Sequence, residues 1–152
     1  KASLKNVPLK IMQKDDGLAL SLTNEKRFSN FVVFKNLPLV QLNLSNTLFE
    51  QDIYLKDMPL KELILRKTKI NSTRPYPWAS LEKIDISHTH IRSIIFLSPP
   101  QNLKEINLRG CHINNLQVLL DCPQLKTIIL TKKHYTKATL QQFIDKGIHI
   151  TE

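Results

Sequence analysis

Glycine is scarce in this chain, with three in 152 residues. No stretch has the glycine-rich spacing that cradles phosphate, and no His-Arg-Asp triplet is present. Long hydrophobic runs are missing too. The richest, Ile94-Ile95-Phe96-Leu97, is far short of the ~20 apolar residues a membrane span needs. No membrane insertion is expected, and no signal peptide is recognisable. Cysteine is limited to Cys111 and Cys122. Acid is the minority charge: 13 acidic against 22 basic residues leave a formal +9. A cationic surface favours acidic partners in general and does not by itself name nucleic acid. The first residue is Lys1 rather than Met, which reads as a fragment or a processed product.

What is present is ordinary for a soluble globular protein, with 41% hydrophobic and 23% charged residues. The length suits one domain with a substantial core. That domain is organised by a phrase the chain repeats five times. Leu103, Ile106, Leu108, Cys111 and Ile113 form the clearest copy. Before it come Leu39, Leu42, Leu44, Thr47 and Phe49; then Leu60, Leu63, Leu65, Thr68 and Ile70; then Leu81, Ile84, Ile86, Thr89 and Ile91. Leu125, Ile128, Leu130, Lys133 and Tyr135 close the series. The starts are 21, 21, 22 and 22 residues apart. A fixed period of this length marks a solenoid. Each copy reads as a short strand followed by a sharp bend, with the apolar positions inside it.

The pattern L-x-x-L-x-L-x-x-T-x-I resembles that of leucine-rich repeats over residues 39–135. The wording of residues 37–47 and 56–65 resembles a narrower group, the short threonine-type repeats of large bacterial proteins that also carry a serine/threonine kinase-like domain. The resemblance implies an α/β, right-handed leucine-rich-repeat solenoid. Parallel strands would line its concave face, with turns and short 3-10 segments on the convex face. It also implies a non-catalytic module that binds a protein or peptide on behalf of a larger bacterial protein.

The whole chain, 1–152, reads as one domain in three parts. Residues 1–38 are an irregular N-terminal cap. Within it, Lys14-Asp15-Asp16-Gly17 separates two strand-like runs, as in a hairpin. Alternatively, Leu20 and Leu22 are the fourth and sixth positions of a degenerate repeat starting at Gly17. A hairpin whose second strand joins the sheet combines the two. Residues 39–135 are the regular repeats. Their connections hold most of the eight prolines, which exclude ordinary helices from 74–78 and 97–100. Ile113, Leu116, Leu119 and Leu120 supply one helical turn, and Trp78 reads as a core filler. Residues 136–152 are a C-terminal cap: Thr136 caps a helix over 137–146, with Leu140, Phe143 and Ile144 on its apolar face and Gly147 as its stop. A final strand follows at 148–151.

Stacking turns each repeat position into a column. The second (Val40, Lys61, Glu82, Lys104, Lys126) and third (Gln41, Glu62, Lys83, Glu105, Thr127) alternate in sign at their centres, which predicts ladders of surface ion pairs. The fifth is Asn43, Ile64, Asp85, Asn107 and Ile129. The seventh and eighth place Arg66, Lys67, His88, Arg109 and Lys132 along one edge. The candidate partner surface is therefore Ile64, Arg66, Lys67, Asp85, His88, Asn107, Arg109, Ile129 and Lys132, all expected to face outward. Its partner is expected to be an acidic protein or peptide, bound by a monomer. The alternative is nucleic acid or another polyanion, though no aromatic stacking platform interrupts these columns.

Catalysis finds no support in the residues. There is no paired acid and base, no nucleophile with its base, and no expected cofactor. His90, His112 and His134 share the tenth column, but no carboxylate accompanies them and the outer two are spread over roughly 10 Å, so no metal site is assigned. Thr47, Thr68 and Thr89 read as hydroxyls that satisfy backbone at the bend, with Cys111 in the same place. One coil puts Cys111 and Cys122 on different sides, so both are expected as reduced thiols. That leans toward the cytoplasm without fixing a compartment.

Overall fold

A computed structural model describes residues 10–26, 34–50, 53–74 and 76–152. The chain is an α/β fold built on one open sheet of eight strands, whose order in space is their order in sequence. β1 (Lys10–Lys14) and β2 (Gly17–Ser21) form an antiparallel hairpin. β2 then pairs in parallel with β3 (Leu39–Asn43). Parallel pairing continues through β4 (Glu62–Ile64), β5 (Lys83–Asp85), β6 (Glu105–Asn107), β7 (Thr127–Ile129) and β8 (His149–Thr151). The N-terminal hairpin thus does lend its second strand to the sheet. Residues 1–9 of the N-terminal cap lie outside the described residues.

Register follows the sequence pattern. Leu20, Leu42, Leu63, Ile84, Ile106 and Ile128 are aligned across neighbouring strands and buried on one face. Two residues on, Leu22, Leu44, Leu65, Ile86, Leu108 and Leu130 add a second buried row. Each such leucine gains about 1.5–3 kcal/mol from leaving water, against the entropy of ordering the chain. The connections close the other side of this core. A 3-10 helix at Ile53–Asp57 brings Leu55, and Met58 follows it inside. A second, Gln117–Asp121, brings Leu119 beside Leu116. The helical turn expected around Leu116–Leu120 is this one.

Where β3, β4 and β5 end, a hydroxyl takes over. Thr47, Thr68 and Thr89 are buried and donate to the carbonyls of Leu44, Leu65 and Ile86 at 2.8, 2.6 and 2.7 Å. Cys111 occupies the same place, but its thiol reaches back to Ile86 O at 3.1 Å.

α1 (Lys137–Asp145) is the one α-helix among the described residues. The Thr136 hydroxyl accepts from Thr139 N, capping its start. Gly147, at φ +79°, ends it with paired bonds, Gly147 N to Ile144 O and Ile148 N to Phe143 O, at 2.8 and 2.9 Å. No helix among the described residues is long and apolar enough to cross a membrane.

Four positions outside the candidate partner surface depart from the sequence reading. Val40, expected outward, is only 7% exposed. The hairpin passes close over it: a Cβ at Gly17 would lie 2.7 Å from Val40 Cγ1 and 2.4 Å from Pro38 O. Ser87 is buried too, its short side chain lying on the rung between those of Arg66 and Arg109. Ile144 is 52% exposed, because a residue about 100° beyond the buried Phe143 turns off the core face. Trp78 is only half-buried. It packs against the core margin, edge-on to Phe96 at 4.8 Å, and its indole N–H donates to Thr73 O at 3.2 Å.

Candidate functional site

The face of the sheet opposite the core presents the third and fifth columns, and the bend beside it presents the seventh and eighth. The fifth column is less free than its sequence implies. Asn43, Asp85 and Asn107 each turn a side-chain oxygen back onto the backbone two residues on, accepting from Ser45 N, Ser87 N and Arg109 N at 2.9, 2.8 and 3.0 Å. Asn107 also donates to Asp85 Oδ2 at 3.1 Å, joining two rungs. Of the nine candidate partner residues, Asp85 and Asn107 therefore shape the bend as well as facing solvent. Ile64 and Ile129 are half-buried rather than exposed, since each is flanked by paired strands on both sides.

The eighth column has a backbone property that residue type alone does not announce. Asn24, Asn46, Lys67, His88 and Gly110 all have positive φ, at 68, 56, 55, 55 and 73°. This left-handed turn aims each N–H at the next rung. Asn24 N, Asn46 N, Lys67 N and His88 N donate to the carbonyls of Ser45, Arg66, Ser87 and Arg109 at 2.8–3.0 Å. Gly110 N donates to the Thr131 hydroxyl at 3.0 Å. The ladder thus outlasts the three-residue strands. Lys67 and His88 are unusual occupants, because a side chain other than that of glycine or asparagine is strained there. Asparagine and glycine at the same repeat position, Asn24, Asn46 and Gly110, were the available signal in the sequence.

This turn displays Arg66, Lys67 and Arg109, whereas Lys132, eighth in the last copy, opens a 3-10 helix over Lys132–His134 instead. The Arg66, Lys67, Arg109 and Lys132 side chains are exposed, and among the described residues none forms a salt bridge, although the Lys132 backbone N–H donates to the Glu152 carboxylate at 2.9 Å. His88 is exposed beside them. The acids on the neighbouring columns are committed or apart: Asp85 is held as above, and Glu62 accepts from Gln41 Nε2 at 2.9 Å. A shallow depression between Glu62, Lys83, Asp85 and Glu105 has more acid than base, so the outer surface changes sign across its width.

The predicted ion-pair ladders form only in part. Glu82 and Lys104 pair at 2.5 Å, and the bond to Lys104 holds the Glu82 carboxyl below its ordinary value. Lys61, expected to pair with Glu82, instead pairs with Asp16 in the hairpin turn. That bond lowers the Asp16 carboxyl and raises the Lys61 ammonium. In the third column Lys83 lies between Glu62 and Glu105 in register without a salt bridge to either. Opposite sign on adjacent strands is not sufficient, because long exposed side chains gain little by holding one geometry.

The histidine column is also partly drawn together. The rings of His112 and His134 stack at 5.0 Å with 14° between planes, and His134 Nδ1 lies 3.3 Å from Cys111 O. Among the described residues no three histidine, cysteine or acidic side chains converge as a metal site would require. Both cysteines are free and buried. Burial pushes the Cys122 thiol up to about 11, with the Asp121 carboxylate adding to the effect. Neither thiol has the electropositive, accessible setting of a nucleophile.

No family model, no curated protein and no solved structure matches this chain.

Proposed function

We propose that the chain is a leucine-rich-repeat solenoid acting as a non-catalytic binding module, whose basic edge receives an acidic segment of a protein or peptide. One observation carries this reading: the Arg66, Lys67, Arg109 and Lys132 side chains stand exposed in two adjacent columns without a salt bridge among the described residues. A stacked framework fixes the spacing of such charges before a ligand arrives, which lowers the ordering cost of binding. The resemblance to the repeats of bacterial kinase-like proteins makes a recognition region of such a protein the natural parent. The segment itself contributes binding rather than phosphoryl transfer.

A polyanion such as nucleic acid is the second reading, favoured by the formal charge of +9. Against it, the fifth, seventh and eighth columns contain no Phe, Tyr or Trp on which bases would stack. Fluorescence anisotropy with a labelled oligoglutamate peptide and with a short DNA duplex separates the two. We expect the peptide to bind and the Arg66→Glu/Arg109→Glu variant to lose about tenfold or more. Tighter binding of the duplex, falling steeply with salt, would favour the polyanion reading. Absence of binding to either probe at low salt would remove both.

A further inference from the structure

A second surface lies away from the basic edge. Three successive connections build it: Lys56 from the β3–β4 link, Thr73–Arg74 and Tyr76–Ala79 from the β4–β5 link, and Ile95, Leu97 and Ser98 from the β5–β6 link. Together they line a cleft of about 310 Å³. Prolines in the β4–β5 and β5–β6 links disfavour an α-helix there, while Lys56 comes from the 3-10 helix of the β3–β4 link. Its wall is nevertheless firmly built. Thr73 is buried, and its hydroxyl accepts from Ile95 N at 3.1 Å, tying two links together. Tyr76, Trp78 and Phe96 form an aromatic cluster, with Trp78 6.0 Å from Tyr76 and 4.8 Å from Phe96.

Two features indicate what the cleft takes. Leu97 is 91% exposed at its rim and Ile95 is exposed beside it, so apolar surface faces water there without cover from the described residues. The charged residues lining the cleft are both cations, Lys56 and Arg74. The volume is at the small end of ligand sites, about 300–1,000 Å³, and suits one or two side chains rather than a large cofactor.

We propose that this cleft is a docking site for a peptide segment of a partner protein, in which one large apolar side chain is flanked by acidic residues. The apolar side chain enters against Trp78, Pro77 and Leu97, and a flanking carboxylate meets Lys56. The site is separate from the basic edge, so a partner engages either surface without the other.

Trp78 is the chain's single tryptophan, which makes the test direct. Its fluorescence is titrated with three blocked pentapeptides: a central phenylalanine between aspartates, the same with alanine at the centre, and the same with lysines as flanks. The first is expected to give a saturable change, and each of the others to bind about tenfold more weakly or worse. Leu97→Ser and Lys56→Glu should each weaken the first peptide to a similar degree, with unchanged circular dichroism because both side chains are exposed. Arg66→Glu/Arg109→Glu should leave this binding unchanged, which keeps the outcome distinct from that at the basic edge. Equal binding of all three peptides, or no saturable change, would overturn the proposal. Saturation by toluene without preference among the peptides would also overturn it, marking a cleft for small apolar molecules.

Discussion

The imidazole of His88 lies over Gly110: a Cβ added to Gly110 would come within 2.5 Å of His88 Nδ1. The two residues hold the same place on adjacent rungs, both in the left-handed turn. The bare glycine on one rung leaves the space that the ring from the next one fills. Gly110→Ala therefore meets two penalties, strained φ and a displaced ring. Gly147 has the same φ sign and nothing within 4 Å, so Gly147→Ala isolates the first. We expect about 1 kcal/mol of destabilisation at Gly147 and more than that at Gly110. In urea unfolding, His88→Ala should restore part of the loss at Gly110.

Lys67 is a charged residue held at φ 55°. Lys67→Gly should stabilise the chain by about 0.5–1 kcal/mol, since glycine carries no Cβ into that turn. The same change should weaken an acidic peptide at the basic edge. A gain in melting temperature together with a loss in affinity is the outcome to look for. If the two measures fell together, the strain argument would be wrong.

The core and the edge should separate cleanly under mutation. Leu65→Ala and Leu108→Ala open cavities in fully buried rows and should cost about 2–5 kcal/mol. Arg66→Glu/Arg109→Glu touches only exposed side chains and should stay within about 0.5 kcal/mol of the parent. Chemical denaturation of the three variants checks this.

Thr68→Val keeps the shape of the bend but removes the donor to Leu65 O. The expected loss is about 1 kcal/mol. The same substitution at Thr47 and Thr89 should cost at least as much, because each hydroxyl makes the same bond on its own rung and a second buried contact, to Phe49 N at 3.3 Å and to Cys111 Sγ at 3.5 Å.

Two pH effects have opposite signs. The Glu82 and Asp16 carboxyls are held below their ordinary 4.5 and 3.8 by bonds to Lys104 and Lys61. Their contribution is present above those values and is lost as pH falls through the folded pKa. Being exposed pairs, they should flatten only slightly in a Lys104→Met/Lys61→Met variant. Cys122 works the other way. Its thiol is raised from 9.0 to about 11, so its contribution is complete below pH 9 and is lost as pH rises toward 11. Cys122→Ala should remove that alkaline component from the stability profile, and both thiols should react with a thiol reagent only on unfolding.

How far the sequence was legible follows the same division. Leu42, Leu63, Ile84, Ile106 and Ile128 were readable as one buried row because this position stays apolar in every copy, whereas the outward positions change type from copy to copy. The β2–β3 pairing was readable because Leu20 stands 22 residues before Leu42. Val40 was not, since its burial depends on the hairpin folding back across Gly17, a long-range contact without a local signature. The fifth column looked like free surface because Asn and Asp serve equally as ligands and as turn formers; only the 2.8–3.0 Å bonds to Ser45, Ser87 and Arg109 N–H groups decide between them. The cleft beside Trp78 was hidden for a different reason. Proline at position 77 forbids a helix, but it does not say which side chains are left standing around the gap.

The sheet has one further property, which is mechanical. Its strands lie in space in the order in which they are threaded, with none inserted out of sequence order. Pulled by its two ends, such a chain has no buried central clamp that must yield first. It should peel from an edge, each step releasing one unit of 21 or 22 residues, roughly 70 Å of contour length. The expected force trace is a low staircase rather than a single rupture, and any partner bridging two rungs would appear as one step that comes late.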